Sequence, residues 1–458
     1  MSDTRKERDS MGELAVPADA LFGASTQRAV ENFPISGQRL EPTLIHAMGW
    51  IKEAAAHANA ATGDLPEDLG RAIADAASAV AAGEHDDHFP VDVYQTGSGT
   101  STNMNANEVI ASLCRRAGFE AHPNDHVNLG QSSNDTFPTA IHVAVCLALR
   151  DKLIPALQLL EQSLARKAAG FHPILKIGRT HLMDAVPMRL GHEFSAYASQ
   201  VGHGIDRCQR AIEALMEIPL GGTAIGTGLN RHKDFTGLAV SHLGKRTGFP
   251  FRPATNPFEA QAARDALVES HGQINGVAVS LHKIASDIRL LASGPRCSIG
   301  ELRLPAIQPG SSIMPGKVNP VLCESLTMVA ARVFGNETTV TFCGANGQFE
   351  LNASMPLLAQ AALESIHLLA NAASVFAEKC IDGIEADEQR CDELIERSLA
   401  LVTSLVPLIG YDKAAAIAKE AMESGRTIRE LCAERMSEFG ITPEQLEHAL
   451  DPATMAGE

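Results

Sequence analysis

Four connectors in this 458-residue chain carry more small polar side chains than a turn requires. The first, Gln95-Thr-Gly-Ser-Gly-Thr-Ser-Thr-Asn-Met-Asn105, sets Ser98, Gly99 and Thr100 just ahead of a helical pattern. Glycine lets backbone N–H groups approach a ligand, and hydroxyls at a helix start hold an anion, although an N-capping turn uses the same residues. The second, His122-Pro-Asn-Asp-His-Val-Asn-Leu-Gly-Gln-Ser-Ser-Asn-Asp135, places Ser132, Ser133 and Asn134 at another helix start. The third, Gly178-Arg-Thr-His-Leu-Met-Asp184, puts one imidazole, His181, in a polar turn between a short extended run and a long helix. A lone histidine is more often structural than catalytic. Connectors, however, are where catalytic groups concentrate, and an imidazole suits either an acid or a base role. The fourth, Gly310-Ser-Ser-Ile-Met-Pro-Gly-Lys-Val-Asn-Pro320, is a shaped loop carrying the hydroxyls of Ser311 and Ser312. Turn chemistry accounts for its glycines and prolines, but not for Lys317 and Asn319 directly after Met314-Pro-Gly316. A loop that closes over an anion calls for both.

Singly these signals are weak. Together they describe a donor-rich pocket with one imidazole, one ammonium and several hydroxyls, suited to a small carboxylate. Nothing in the spacing calls for a metal or cofactor. The nine cysteines, at 114, 146, 208, 297, 323, 343, 380, 391 and 432, include no pair two or three residues apart. His122 and His126 are four apart, but Pro123 and Asn124 favour a turn over a helix face, and His85-Asp-Asp-His88 reads as a solvated loop. No P-loop and no dinucleotide fingerprint is present.

Long helices are the elements that must position these connectors. Between Pro257 and Ala292 apolar residues fall at 274, 277, 278, 281, 284, 285, 288, 291 and 292, the spacing of one helix face. The segment 188–215 repeats the pattern, and 320–342 and 356–382 are also helical in character. Residues 136–168 are apolar on nearly every face through Ala140–Leu149, with Pro155 placed to kink the helix. The reading is all-α: an elongated central five-helix bundle over 136–385, between a mainly helical domain over 1–135 and a small helical domain over 386–458. Helices are expected near 42–62, 66–82 and 104–117 in the first part. In the last part they are expected near 387–400, 411–423, 426–438 and 442–450. Strand signals are scarce, and 174–178 is the best of them. Helices apolar on several faces need cover from further helices or other subunits, so an oligomer is expected.

Composition narrows the class further. Basic residues number 38 and acidic residues 55, so the net charge is 38 − 55 = −17 and phosphate-backbone binding is excluded as a general role. An aromatic content of 4% with abundant Ala and Leu fits packed helices better than sheets. No run of about 18 apolar residues is present, and Met1–Ser10 has no apolar core of a signal peptide. An odd cysteine count in a long chain argues against a disulfide framework. A cytoplasmic protein without a membrane partner is expected.

The string Gly310–Asn319 resembles the signature loop of the fumarase/aspartase superfamily, and the other three connectors match that superfamily in order and spacing over essentially the whole chain. Gln95-Thr-Gly-Ser-Gly-Thr100, Ser132-Ser-Asn-Asp-Thr-Phe137 and Gly178-Arg-Thr-His181 look most like the class II, metal-independent fumarate hydratases of the tricarboxylic acid cycle. Aspartases typically carry Gln where His181 stands and Ala where Gly316 stands, while Gly221–Asn230 is shared by both groups. The resemblance implies a homotetramer with a twenty-helix core, and active sites each shared by three subunits. It implies reversible hydration of fumarate, with Ser311 as the base at C3 and His181, oriented by Glu324, acting on the C2 hydroxyl. It gives the dicarboxylate to Ser98, Gly99, Thr100, Ser132, Ser133, Asn134, Thr180, Ser312, Lys317, Val318 and Asn319. The alternative within the superfamily is an aspartase-like ammonia-lyase; a non-catalytic lens-crystallin type would have lost these residues. The resemblance also points to a second, non-catalytic anion site at His122, Pro123, Asn124 and Asp125. There Gly118-Phe-Glu-Ala121 replaces the basic residues many members carry, and Leu129-Gly130 the frequent Lys-Ser, which removes the charge that would hold an anion. Ser25 stands where Gln is usual, and the sequence assigns it no consequence.

Overall fold

The computed structural model describes residues 3–457. Nineteen α-helices and five short two-stranded pairings are present among them, and the chain is all-α. The residues group into two compact units. One holds residues up to Pro155 with Gly204–Val279 and Val329–Asn371; the other holds Ala156–His203, Ser280–Met328 and the residues from Ala372 on.

The first unit opens with a hairpin of β1 (Thr4–Asp9) and β2 (Gly12–Pro17), which the scarcity of strand signals did not predict. Its helices are α1 (Ala24–Asn32), α2 (Pro42–Thr62), α3 (Glu67–Ala81), α4 (Thr100–Arg116) and α5 (Ser133–Ala148), with α8 (Phe235–Thr247) and α9 (Pro257–Ala262) further along the chain. Proline in its first turn starts α2 and a left-handed Gly63 stops it. A Cβ on Gly49 would lie 2.5 Å from the backbone of Ala81, so only glycine lets α2 and α3 pack this closely. Helix α2 also packs on α5 and α8. Helix α5 is buried from Asp135 to Cys146, as its all-round apolar pattern requires.

The kink expected at Pro155 takes the form of a π-helical turn, Leu149–Leu153, ahead of α6 (Ile154–Gly170). Proline has no N–H to continue the regular ladder, and the wider turn absorbs the loss. The helix expected across 257–292 is likewise interrupted: α9 ends at Ala262 and α10 covers Asp265–Leu291. In a continuous helix the Ala260 carbonyl would accept from the N–H of residue 264. It accepts the buried Arg264 guanidinium instead. The face of α10 formed by Ile274, Val277, Ala278, Leu281, Ile284, Ala285 and Ile288 is buried throughout. The remaining long helices are α7 (Leu190–Ala214), α11 (Val321–Ala345) and α12 (Met355–Lys379).

The second unit carries a hairpin of β3 (Leu175–Thr180) and β4 (Met183–Arg189). The expected extended run at 174–178 is its first strand. After residue 386 the chain builds a separate apolar cluster from Ile395, Leu401, Leu405, Ile417, Leu431 and Leu446. Capping boxes at Thr427–Glu430 and Thr442–Gln445 start two of its short helices. The helix expected over 426–438 divides at Arg435 into Ile428–Glu434 and Met436–Phe439. Among the described residues no helix is long and apolar enough to cross a membrane.

Candidate active site

In the first unit two helix N-termini meet through their hydroxyls. Gly99, at φ 73°, caps α4, and a Cβ there would meet the Phe137 ring at 2.2 Å, so this turn depends on glycine. Ser98 Oγ lies 2.7 Å from Thr100 Oγ1, which lies 2.8 Å from Ser133 Oγ at the start of α5. Ser132 is the N-cap of α5: its Oγ accepts from Asn134 N–H at 3.2 Å, and Asp135 completes the capping box. Ser132 thus caps α5, while α4, whose sequence also suits a capping turn, has no side-chain cap. Asn134 Nδ2 donates to the Ala224 carbonyl at 2.9 Å, tying the stretch 221–230 to this cluster. Two helix N-termini joined by a chain of hydroxyls form a place where a carboxylate is stabilised.

Behind the hydroxyls sit two buried ionisable groups that the sequence reading did not single out. Asp135 Oδ2 accepts from Gly221 N–H at 2.9 Å and Thr223 N–H at 2.8 Å. Burial pushes its carboxyl up to about 6, against the pull of those N–H donors and that of Ser132. Lys52 Nζ donates to Asn128 Oδ1 at 3.0 Å and Gln131 Oε1 at 2.9 Å, bracing the connector that leads to Ser132. Burial holds its ammonium down to about 7, while the charge of Asp135 opposes the fall. The available signal was Lys52, set with Glu53 in the otherwise apolar stretch Ala47–Ala56.

In the second unit Thr180 pairs with Met183 across the tip of the β3–β4 hairpin, and His181 with Leu182 forms its two-residue turn. Both turn residues have positive φ, 57° and 63°, a conformation that hairpin turns normally give to Asn and Gly. His181 is thus held, exposed, at a strained position rather than in the polar turn before a helix expected from sequence. The strand beneath is anchored by buried ions. Arg179 donates to both carboxylate oxygens of Glu301, at 2.8 and 3.0 Å, and Lys176 reaches Glu193 at 2.8 Å and Glu301 at 3.2 Å. Burial pushes the Glu193 carboxyl above its usual range, with Lys176 pulling the other way. A cavity of about 300 Å³ opens beside the turn, lined by His181, Arg179, Glu193, Tyr197 and Asp287 among others.

The signature loop closes on itself. Gly310 N–H donates to the Lys317 carbonyl at 2.9 Å, and Asn319 Nδ2 donates to the Gly310 carbonyl at 2.6 Å. Ser311 Oγ accepts from the N–H groups of Ile313 at 3.2 Å and Met314 at 3.1 Å. Ser311 is half-buried, while Ser312, Lys317 and Val318 are exposed. Lys317, Val318 and Asn319 also line a second cavity, of about 430 Å³, together with Arg289 and Arg303. Glu324 is exposed in the first turn of α11. Among the described residues it makes no hydrogen bond with His181; His181 lines one cavity, and Ser311 and Lys317 line another.

The turn Pro123–Val127 is a π-helical turn in which His122 Nδ1 accepts from Asp125 N–H at 3.1 Å, and His126 Nδ1 from His122 N–H at 3.0 Å. The Nδ1 atom of each imidazole is thus engaged with local backbone. Ser25 sits in α1, where its N–H donates to Glu108 at 2.9 Å.

Residues 12–335 match the Lyase family and residues 401–457 the Fumarase C C-terminus family. The chain is 54% identical over 455 residues, 99% of its length and 96% of the relative's, to the class II fumarate hydratase of Corynebacterium glutamicum. Among solved structures it is similar to the recombinant class II fumarase from Schistosoma mansoni, at a TM-score of 0.95 and 38% identity over 99% of each chain. It is also similar to a fumarate lyase:delta crystallin from Brucella melitensis bound to cobalt, at a TM-score of 0.95 and 44% identity over the whole of both chains.

Proposed function

The chain belongs to the class II fumarate hydratase family, and from that membership we propose that it catalyses the reversible hydration of fumarate to (S)-malate. The observation that carries the choice of water over ammonia is His181, an imidazole presented at a strained hairpin tip where ammonia-lyases of the superfamily carry an amide. Hydroxide is a poor leaving group, so cleavage of the C2–O bond requires a proton donor at that oxygen.

In this reading Ser311 removes the C3 proton of malate. A serine hydroxyl is a weak base, and the two N–H groups donated to its Oγ favour the charge it must carry. The resulting carbanion spreads its charge onto the adjacent carboxylate, where Lys317 and Asn319 stabilise it. Glu324 orients His181, which donates to the departing water and accepts from the attacking water in reverse. Ser98, Gly99, Thr100, Ser132, Ser133, Asn134, Thr180, Ser312 and Val318 hold the carboxylates.

The site is shared by three subunits of a homotetramer. Phe342 of α11 is 71% exposed and Met328 is 66% exposed, and such large apolar side chains on long helices call for cover. The lack of a His181–Glu324 contact among the described residues also fits a pair made between chains. The protein acts in the cytoplasm.

Loss of fumarate absorbance on adding the protein, measured with and without ammonium and with a chelator, tests the activity. Turnover independent of ammonium and of chelator is expected. Consumption that needs ammonium sinks the hydratase reading in favour of the ammonia-lyase, and loss that iron restores sinks the metal-independent mechanism.

A further inference from the structure

We propose that Glu53, His57 and His242 form a non-catalytic site for one divalent transition metal of the zinc, cobalt or nickel class, which clips α2 to α8. Glu53 and His57 lie one turn apart on α2 and so share a face, and His242 faces them from α8. One donor atom from each residue lies within 4.8 Å of the others. His242 Nε2 and Glu53 Oε1 are 3.4 Å apart. Ligand atoms ~2.1 Å from a tetrahedral ion are themselves roughly 3.4 Å apart, so the Glu53 carboxylate already lies within the reach of His242 that such a site requires. Two imidazole nitrogens and one carboxylate oxygen match the preferences of these ions rather than of magnesium or calcium, and the fourth position is left to water.

The alternative is an ion pair that needs nothing further. Arg246, one turn beyond His242, donates Nε to Glu53 Oε1 at 2.9 Å and lays its guanidinium 4.7 Å from the Trp50 ring centroid. That pair leaves half of the carboxylate unanswered. Glu53 is 6% exposed, and its Oε2 is buried with no hydrogen-bond partner among the described residues, a costly state for a carboxylate oxygen. The rings of His57 and His242 stack at 4.2 Å, 28° from parallel. An ion seated on Oε2 and the two imidazoles satisfies the orphaned oxygen. Arg246 then becomes the outer hydrogen-bond partner that ligating carboxylates commonly have.

This cluster is not legible in the sequence, because His57 and His242 lie 185 residues apart and only packing joins them. Its role follows from α2. The same helix carries Lys52 and Asn59, which hold Asn128, Gln131 and the Leu129 carbonyl of the connector ahead of Ser132. Fixing α2 to α8 steadies that connector without touching substrate.

The test is titration of the chelator-stripped full chain with Zn²⁺ and Co²⁺, followed by calorimetry and thermal melting. One equivalent per chain is expected, with a rise in melting temperature on adding Zn²⁺. His57→Gln and His242→Gln should each weaken binding at least tenfold and abolish the rise. His57 is exposed, so its variant should melt like the wild type when no metal is present. Cys297 is the exposed cysteine, and Cys297→Ser controls for thiol binding. A Zn²⁺-induced rise that survives His57→Gln overturns the proposal, as does binding that disappears with Cys297→Ser.

Discussion

Arg179 and Glu301, 122 residues apart, close a two-point ion pair at 2.8 and 3.0 Å beneath the turn that carries His181. Glu301 is fully buried and also holds the fully buried Lys176. A planar guanidinium meeting a carboxylate edge-on fixes direction as well as distance, so this pair sets the orientation of the β3 strand.

Glu301→Gln should therefore act on both stability and catalysis. Breaking one partner of a buried ion pair typically costs about 3–5 kcal/mol, because the remaining charge is left uncompensated. Denaturant unfolding should show a loss of that order. A cost below about 1 kcal/mol would mean that Lys176 and Arg179 find other partners.

His181→Asn should lower kcat on malate by ~10²–10⁴, the usual worth of general acid–base assistance, with a smaller effect on KM. One limb of the pH–rate profile should flatten in the same variant. Near wild-type turnover would make the imidazole structural and move the proton donor elsewhere.

Shared sites predict complementation. His181→Asn and Ser311→Ala chains, each inactive alone, should recover up to about a quarter of wild-type activity when refolded together, since random mixing reunites an intact pair in that fraction of sites. No recovery in tetramers shown to be mixed would place both residues of each site on one chain.

Lys52 predicts a pH dependence of stability. Its folded-state value is lowered to about 7 from 10.5, so the unfolded chain binds more protons between those values. Stability relative to Lys52→Met should then rise as pH increases through that window, on the order of 1 kcal/mol per pH unit at most, and level off near pH 10. A relative stability that stays flat over pH 7–9 would show that the ammonium is charged and well solvated in the folded chain. The raised Asp135 carries the opposite sign at lower pH: its contribution declines as pH climbs from about 4 to about 6.

Sequence alone determined the helices and the chemistry. The positions at 274–288 repeat every three or four residues because one side of α10 is buried, and a periodic environment leaves a periodic record. The four connectors were legible for another reason: the clustering of Ser98, Thr100, Ser133 and Ser311 exceeds what turns require, and His181 and Lys317 are types that turns do not call for. What tertiary structure decided are the partnerships. Asp135 accepts from Gly221 and Thr223, Arg179 donates to Glu301, and Lys52 donates to Asn128 and Gln131, through contacts whose sequence separation carries no period. The hairpin at His181 was missed for a related cause. β4 pairs with β3 by backbone hydrogen bonds, which most side chains permit, and the positive φ of His181 and Leu182 is imposed by that pairing rather than by their own preferences. Spacing along a chain records which face is buried. It does not record which buried charge finds which partner, because that choice is made only when distant segments close together and exclude water.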